Sequence, residues 1–434
     1  MSTWRPCQGI RKVSDFAPVK ALLCAATDTA DDLLTVREKF MNQAPSLERM
    51  AVGAKRILPF ERVALVLQGG GALGAYQAGV YQALHEASIG VDWLCGTSIG
   101  AVNGALIAGN PPEKRVERLR DFWESITKPP IRFPNVPWFT GLPWNGNGQA
   151  RYWGNKMSAL STMLHGAPGF FSPRPFPPVN STADSPDLVS YYDITPLRDT
   201  LSRLVDFDLL NADPMRLTVL ATNVRTGAPA YFDNREQKIA AAHILASSSL
   251  PPSFPPTEIE GEYYWDGGVV SNSPMQFVVD NRGRYTALVF QVDLWDANGE
   301  VPLDIPSANL RAMEIHSASR INVSLEQHKK MQKFRHALRR FLDQLPAQCQ
   351  NDPEVQFLSE QARVKVATIV QLKYQSNKFE TAGKMFEFSR LAMEEHWQAG
   401  YDDTKVALGE PAVFELPDVT EAARIFDVHH GWAT

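Results

Sequence analysis

Two strand–turn–helix units follow one another between Val63 and Asn110, and a chain built around them has few folds to choose from. The apolar runs Val63–Leu67 and Val91–Cys95 have the length and composition of buried strands, and each ends in a glycine-bearing turn that leads into helix-forming sequence. The helix expected over Ala75–Ala87 carries apolar residues at i, i+4 and i+5. Ile99–Ala108 is rich enough in Ala and Gly to lie close against a sheet. Parallel neighbours need a crossover helix between them, so this alternation predicts an α/β fold with a mostly parallel sheet covered on both faces.

Chemistry has a place at the two turns. The second, Gly96-Thr97-Ser98-Ile99-Gly100, fits G-x-S-x-G, and between a strand and a helix such a serine sits on a tight elbow with small neighbours. The helix that follows puts partial positive charge near its Oγ. The first turn, Gly69-Gly70-Gly71-Ala72-Leu73-Gly74, also has the spacing of a dinucleotide loop, which calls for an acidic residue about 20 positions on. Asp92 is near that distance, but it opens the next strand, whereas ribose contact needs the carboxyl end, where Gly96-Thr97-Ser98 stands. No Gly-Lys-Ser/Thr follows, so a phosphate-binding P-loop is excluded. What remains is a row of backbone N–H groups at a helix start, suited to an oxyanion.

A serine at such an elbow needs a base. The histidines beyond Asp266 are His316, His328, His336, His396, His429 and His430; all lie in the tail or at the terminus and read as surface residues. Asp266 differs. It stands between the short strand Tyr263–Trp265 and Gly267-Gly268, where a carboxylate can reach the end of the sheet.

The rest of the chain reads as support. Residues 1–59 form an extension with one expected helix, Thr29–Asn42. Residues 129–180 carry ten prolines with Trp138, Trp144, Trp153, Phe170, Phe171 and Phe176, which predicts a long irregular insert, a lid or an Ω-like loop packed by its own aromatics. Thr195 and Pro196 open a helix as N-cap and first residue. Leu217–Ala221, Ala230–Phe232 and Thr286–Val292 read as strands, Ile239–Ser248 as a helix, and the Asn272-Ser273-Pro274 segment as a turn near the sheet end. Strand signals fade after Leu303, and Asn309–Leu345, Val355–Tyr374 and Lys384–Val406 read as long helices, giving a helical addition over 301–434 to a catalytic unit over 60–300.

In this order along the chain, the motifs resemble those of the patatin-like phospholipases. The glycine loop, G-x-S-x-G, Asp266-Gly267-Gly268 and the run Ala246–Pro256 carry the resemblance, the last of them toward the family's bacterial branch. It implies a three-layer α/β/α fold and a Ser–Asp dyad without histidine. Ser98 would be the nucleophile and Asp266 the general base, with Gly69, Gly70, Gly71 and Gly74 forming the oxyanion hole. Gly96, Gly100, Gly267 and Gly268 would support the motifs, and neither metal nor cofactor is called for. The implied reaction is hydrolysis of a phospholipid or related acyl ester; acyl transfer, thioester cleavage and a catalytically silent scaffold are the alternatives. Leu73 departs from the family, many of whose members carry Arg or Lys there, and puts head-group preference in doubt. The tail resembles an extra C-terminal domain of unknown role.

Composition narrows the partners. Net charge is -5, which gives no sign of nucleic-acid binding or a polybasic anchor. The scattered cysteines Cys7, Cys24, Cys95 and Cys349 read as free thiols of a reducing compartment. With no signal peptide and no spanning segment read, a cytoplasmic protein is expected, its substrate a lipid reached by transient peripheral membrane contact. Oligomeric state is not legible.

Overall fold

The computed structural model describes residues 56–434 apart from 128–147, 180–181, 183, 282–284, 319–320, 347–348, 350, 363–365, 378, 419–422 and 433–434. The expected helix Thr29–Asn42 and the residues Trp138 and Trp144 lie outside them. Along the chain come β1 (Arg62–Leu67), α1 (Ala75–Glu86), β2 (Trp93–Thr97), α2 (Ile99–Ala108), α3 (Arg115–Ile126) and α4 (Gly148–His165). A small ribbon, β3 (Ser172–Pro173) with β4 (Tyr192–Asp193), precedes α5 (Thr195–Leu204), α6 (Phe207–Ala212), β5 (Arg216–Asn223), β6 (Pro229–Asp233) and α7 (Ala241–Ser248). Next are β7 (Thr257–Ile259), β8 (Glu262–Asp266), α8 (Met275–Asn281), β9 (Ala287–Asp293), α9 (Ile305–Ser317) and α10 (Ile321–Leu342). The chain closes with α11 (Pro353–Gln361), β10 (Ala367–Lys373), α12 (Arg390–Leu408), β11 (Ala423–Asp427) and β12 (Gly431–Trp432).

One sheet runs in the order β12-β11-β10-β9-β1-β2-β5-β8-β7, with β6 also paired to β5. The central pairings β10–β9, β9–β1, β1–β2 and β2–β5 are parallel, as the alternation of strands and helices requires. Strand β1 makes the layering plain: Val63, Leu65 and Leu67 enter a large core on one face, while Ala64 and Val66 enter a smaller one with Met275 and Val278 of α8 on the other. Helix α2 is buried at all ten positions, which explains its content of small and apolar residues. The fold is the expected α/β/α arrangement.

The structure corrects the tail. Val355–Tyr374, expected as one helix, is the helix α11 followed by the strand β10, which lies parallel to β9 through seven paired residues. The cause is legible afterwards: the strand is buried at every position from 367 to 372, Thr368 and Gln371 included, so the alternation of a half-buried strand is missing and periodicity cannot tell it from a buried helix. With β11 and β12, the tail adds three strands to the sheet, and Val52–Thr434 forms one compact unit. Asn309–Leu345 is likewise two helices, α9 and α10.

Two local expectations also change. The Pro-rich insert contains the helix α4, because all ten of its prolines lie outside Gly148–His165. Its buried aromatics, Phe170 and Phe171, pack on Phe254 and on Phe388 from the tail rather than only on one another. At α5, Thr195 is not the cap; the Asp193 carboxylate accepts from the Thr195 amide at 3.0 Å and from its hydroxyl at 2.7 Å.

Candidate active site

Ser98 stands between β2 and α2 with φ 55° and ψ -125°, a left-handed conformation that costs a side-chain-bearing residue on the order of 1–3 kcal/mol. Surrounding contacts impose it. The Ser98 amide donates to Ser247 Oγ at 2.9 Å, and the Ser247 hydroxyl donates to Leu220 O at 2.6 Å, tying the elbow to α7 and β5. Gly96 and Gly100 are required by crowding. A Cβ on Gly96 would run into the Gly100 carbonyl, and one on Gly100 into that of Leu67.

Asp266 reaches the same place from the other side of β5. It ends β8, paired antiparallel with Ala221, while Leu220 pairs with Thr97 on the parallel side. Asp266 is 2 % exposed, and its carboxylate accepts the Gly268 amide at 2.7 Å and is stabilised in its charged form by the Ser98 hydroxyl. Burial pushes the carboxyl up to about 7, even though both hydrogen bonds pull it down. Gly267 presses on the Leu220 carbonyl, so no side chain fits beside the aspartate.

The glycine loop closes the site. Gly71 has φ +59° and its Cα faces the Met385 carbonyl so closely that an added Cβ would lie 2.5 Å from the oxygen. Residues Gly71–Gly74 form a 3-10 turn that leads into α1, and amides opening such a turn have no partner within it. Gly69 lies against Ser98, where an added Cβ would come within 3.1 Å of the serine Cβ, and Gly74 fits against Ile99 of α2.

Several residues that brace this loop escaped the sequence reading. Asn272 Nδ2 donates to Gly69 O at 3.0 Å and to Ser317 O at 3.1 Å, while Asn272 O accepts the Gly69 amide at 3.3 Å. Fully buried Gln68 donates to Ser317 O at 2.7 Å and accepts the Leu294 amide at 2.6 Å. Trp295 Nε1 donates to Gly69 O at 2.8 Å. Only the turn character of Asn272-Ser273-Pro274 hinted at any of this; Asn272 and Trp295 lie more than two hundred residues along the chain from the Gly69 carbonyl they hold.

Charge near the loop comes from the tail. Leu73 is fully buried in the main core. Nearby, the buried ammonium of Lys384 lies 5.0 Å from the Trp295 ring and pairs with Glu314 at 2.9 Å. Asp92 is at the far end of β1, accepting the Val63 amide at 2.8 Å, as its exclusion from a ribose contact demands. Among the described residues no histidine side chain hydrogen-bonds Ser98 or Asp266. His396, read from sequence as a surface residue, is buried beside Tyr374 and Glu380.

Residues 65–279 match the family model described as patatin-like phospholipase, and residues 315–420 match a second one described as patatin phospholipase. The chain is 27% identical over 258 residues to Lysophospholipase NTE1 of Saccharomyces cerevisiae, covering 57% of this chain and 12% of that protein. It is 40% identical over 96 residues to Patatin-like phospholipase domain-containing protein 6 of Homo sapiens, covering 21% of this chain and 7% of the other. The chain thus spans only a small part of the length of these relatives. Among solved structures, VipD from Legionella pneumophila matches at a TM-score of 0.34 and 14% identity, over 84% of this chain and 72% of that one, a likeness too distant to bear weight. The two family matches bracket the whole candidate site, from the strand before the glycine loop to the lysine behind it, and the chain belongs to the patatin-like phospholipases.

Proposed function

We propose that this protein is a serine hydrolase of lipid acyl esters working through a Ser98–Asp266 dyad. The observation that carries the reading is the buried Asp266 carboxylate, lifted to about 7 by burial and eased back by the Ser98 hydroxyl beside it. An unperturbed aspartate, with a pKa of about 3.9, is a weak base for a serine; a desolvated one is much closer to the working pH.

Asp266 takes the proton as Ser98 Oγ attacks the ester carbonyl carbon. The carbonyl oxygen becomes an oxyanion facing the Gly70 and Gly71 amides at the loop braced by Asn272 and Trp295. Collapse of the tetrahedral intermediate breaks the bond to the alcohol, which leaves with the proton from Asp266. Water then adds to the acyl-enzyme, again giving a proton to Asp266, and the carboxylic acid leaves as Ser98 recovers its hydrogen. Donors of this kind are each worth about 3–4 kcal/mol in other hydrolases.

Family membership and the lipase names of the relatives support a lipid substrate. The test is hydrolysis of p-nitrophenyl butyrate by the wild type, Ser98→Ala and Asp266→Asn, with circular dichroism as a check on folding. Both variants should lose activity by about a thousandfold or more while remaining folded, and a fluorophosphonate should label the wild type at Ser98. A folded Asp266→Asn variant with full activity would sink the dyad.

A further inference from the structure

Helix α10 leaves a row of large apolar side chains in water. Met331, Phe334 and Phe341 are 49%, 62% and 61% exposed, and half-buried Leu338 lies between them. At 3.6 residues per turn these four positions fall within about 80° of helix circumference. Lys330 and Lys333 flank the row on one side, Arg335 and Arg339 on the other, Arg339 at 3.1 Å from the Asp343 carboxylate. Between Lys329 and Arg340 the sequence has six Lys and Arg and neither Asp nor Glu, in a chain whose net charge is -5. An apolar stripe between basic flanks is what lies flat in the headgroup region of an anionic bilayer.

Charge decides between this helix and the other exposed row. Helix α4 also shows Trp153, Met157, Leu160 and Leu164 to solvent, yet Arg151 beside them is buried and paired with Glu395 at 2.5 Å. That leaves Lys156, over the Trp153 ring, as the nearest basic group described there, and nothing on α4 selects what would cover it. On α10 the positive flanks oppose the sign of the whole chain, so an anionic surface would attract this face and repel the remainder.

The helix is also joined to the candidate site. Ser317, the last residue of α9, accepts from both Gln68 and Asn272, the side chains that hold the glycine loop, and α10 begins four residues later. We propose that α10 is the surface on which the protein settles against anionic phospholipid, Met331, Phe334 and Phe341 entering the acyl boundary and the lysines and arginines meeting phosphates. The proposal rests on the lipid-hydrolase reading for its purpose, but not for its test.

Binding is measured on the full chain in a Ser98→Ala background, by co-sedimentation with phosphatidylcholine vesicles with and without phosphatidylglycerol. The protein should bind only the phosphatidylglycerol vesicles and release as salt rises. Replacing Lys330, Lys333 and Arg335 by Gln should weaken partitioning by about fivefold per charge removed. Phe334→Ser with Phe341→Ser should weaken it by about tenfold or more. With Ser98 restored, the same substitutions should slow hydrolysis of vesicle-borne phospholipid by like factors and leave p-nitrophenyl butyrate hydrolysis unchanged. Absence of vesicle binding with butyrate hydrolysis intact overturns the docking surface and leaves the chemistry standing. So does unweakened binding by the α10 variants, or a dimer that dissociates on Phe334→Ser in a protein that ignores vesicles. Anionic-vesicle binding that fails in the α10 variants, in a protein inert toward the butyrate, upholds the surface and removes the hydrolase reading instead.

Discussion

At the scale of single residues, the site pairs a strained serine with a carboxylate whose charge is expensive to keep. On the proposed mechanism, proton abstraction requires ionised Asp266, so kcat/KM for a soluble ester should rise with pH through about 7 and level off above it. The same shift has an opposite effect on stability. A carboxyl raised in the folded state binds its proton more tightly there than in the unfolded chain, so stability is greatest below the unfolded value of 3.8 and falls as pH climbs toward about 7. Asp293, also buried and pushed up to about 7 by burial, adds to that slope. Asp266→Asn should therefore be more stable than the wild type at pH 8 and lose that advantage near pH 4, as read from urea midpoints. Equal midpoints at both pH values would contradict a desolvated carboxylate. Gly71→Ala tests the other half of the site: at φ +59° and against the Met385 carbonyl, alanine must displace the loop, with an expected loss of about a hundredfold or more in kcat. Ser98, Asp266 and the glycines were legible in sequence because strand, tight turn and helix start are local patterns. Gln68, Asn272, Ser247 and Ser317 were not, since each acts only through partners that the folded sheet brings to it.

Among the elements, the crossing of α1 and α12 is the joint that fixes the loop's helix to the tail. Gly79 on α1 packs on the carbonyl of Trp397, and Gly400 on α12 packs on that of Tyr76, so the two backbones approach without side chains between them. Polar pairs reinforce the joint: Tyr76 donates to Asp403 at 2.7 Å, Trp397 to Gln82 at 2.6 Å and Tyr401 to Glu86 at 2.6 Å. In an open helix, Gly79→Ala would gain about 1 kcal/mol from helix propensity. Here the methyl group would meet a carbonyl oxygen, and overpacking of this kind costs about 1–3 kcal/mol or more. The clash should win, leaving the variant less stable by about 2 kcal/mol in denaturant titration; a stabilised variant would mean that the helices separate freely. This joint was not legible beforehand, because a glycine within a helix looks the same whether it faces solvent or another backbone. The strand β10 was missed for a related reason: its burial on both faces erases the alternation that marks a half-buried strand.

For the molecule as a whole, the tail cannot be an accessory to a finished catalytic unit. Strand β9 lies between β1 and β10, so residues 56–300 alone would present β9 as a bare edge along its whole length. They would also uncover Gly79 and Tyr76 where α12 covers them, strip Phe388 from Phe170 and Phe171, and remove the Met385 carbonyl and Lys384 from the glycine loop. An unpaired, apolar edge strand is a template for association between chains. A chain ending at residue 300 should therefore aggregate or stay partly unfolded, whereas residues 56–434 should be soluble with a single cooperative unfolding transition, by sedimentation velocity and near-ultraviolet circular dichroism. Supplying residues 301–434 as a separate chain should restore some soluble material if β10 and α12 can dock after synthesis. A soluble, folded and ester-hydrolysing 56–300 fragment would show that the extra strands are dispensable, and would return the tail to the separate helical addition that the sequence alone suggests.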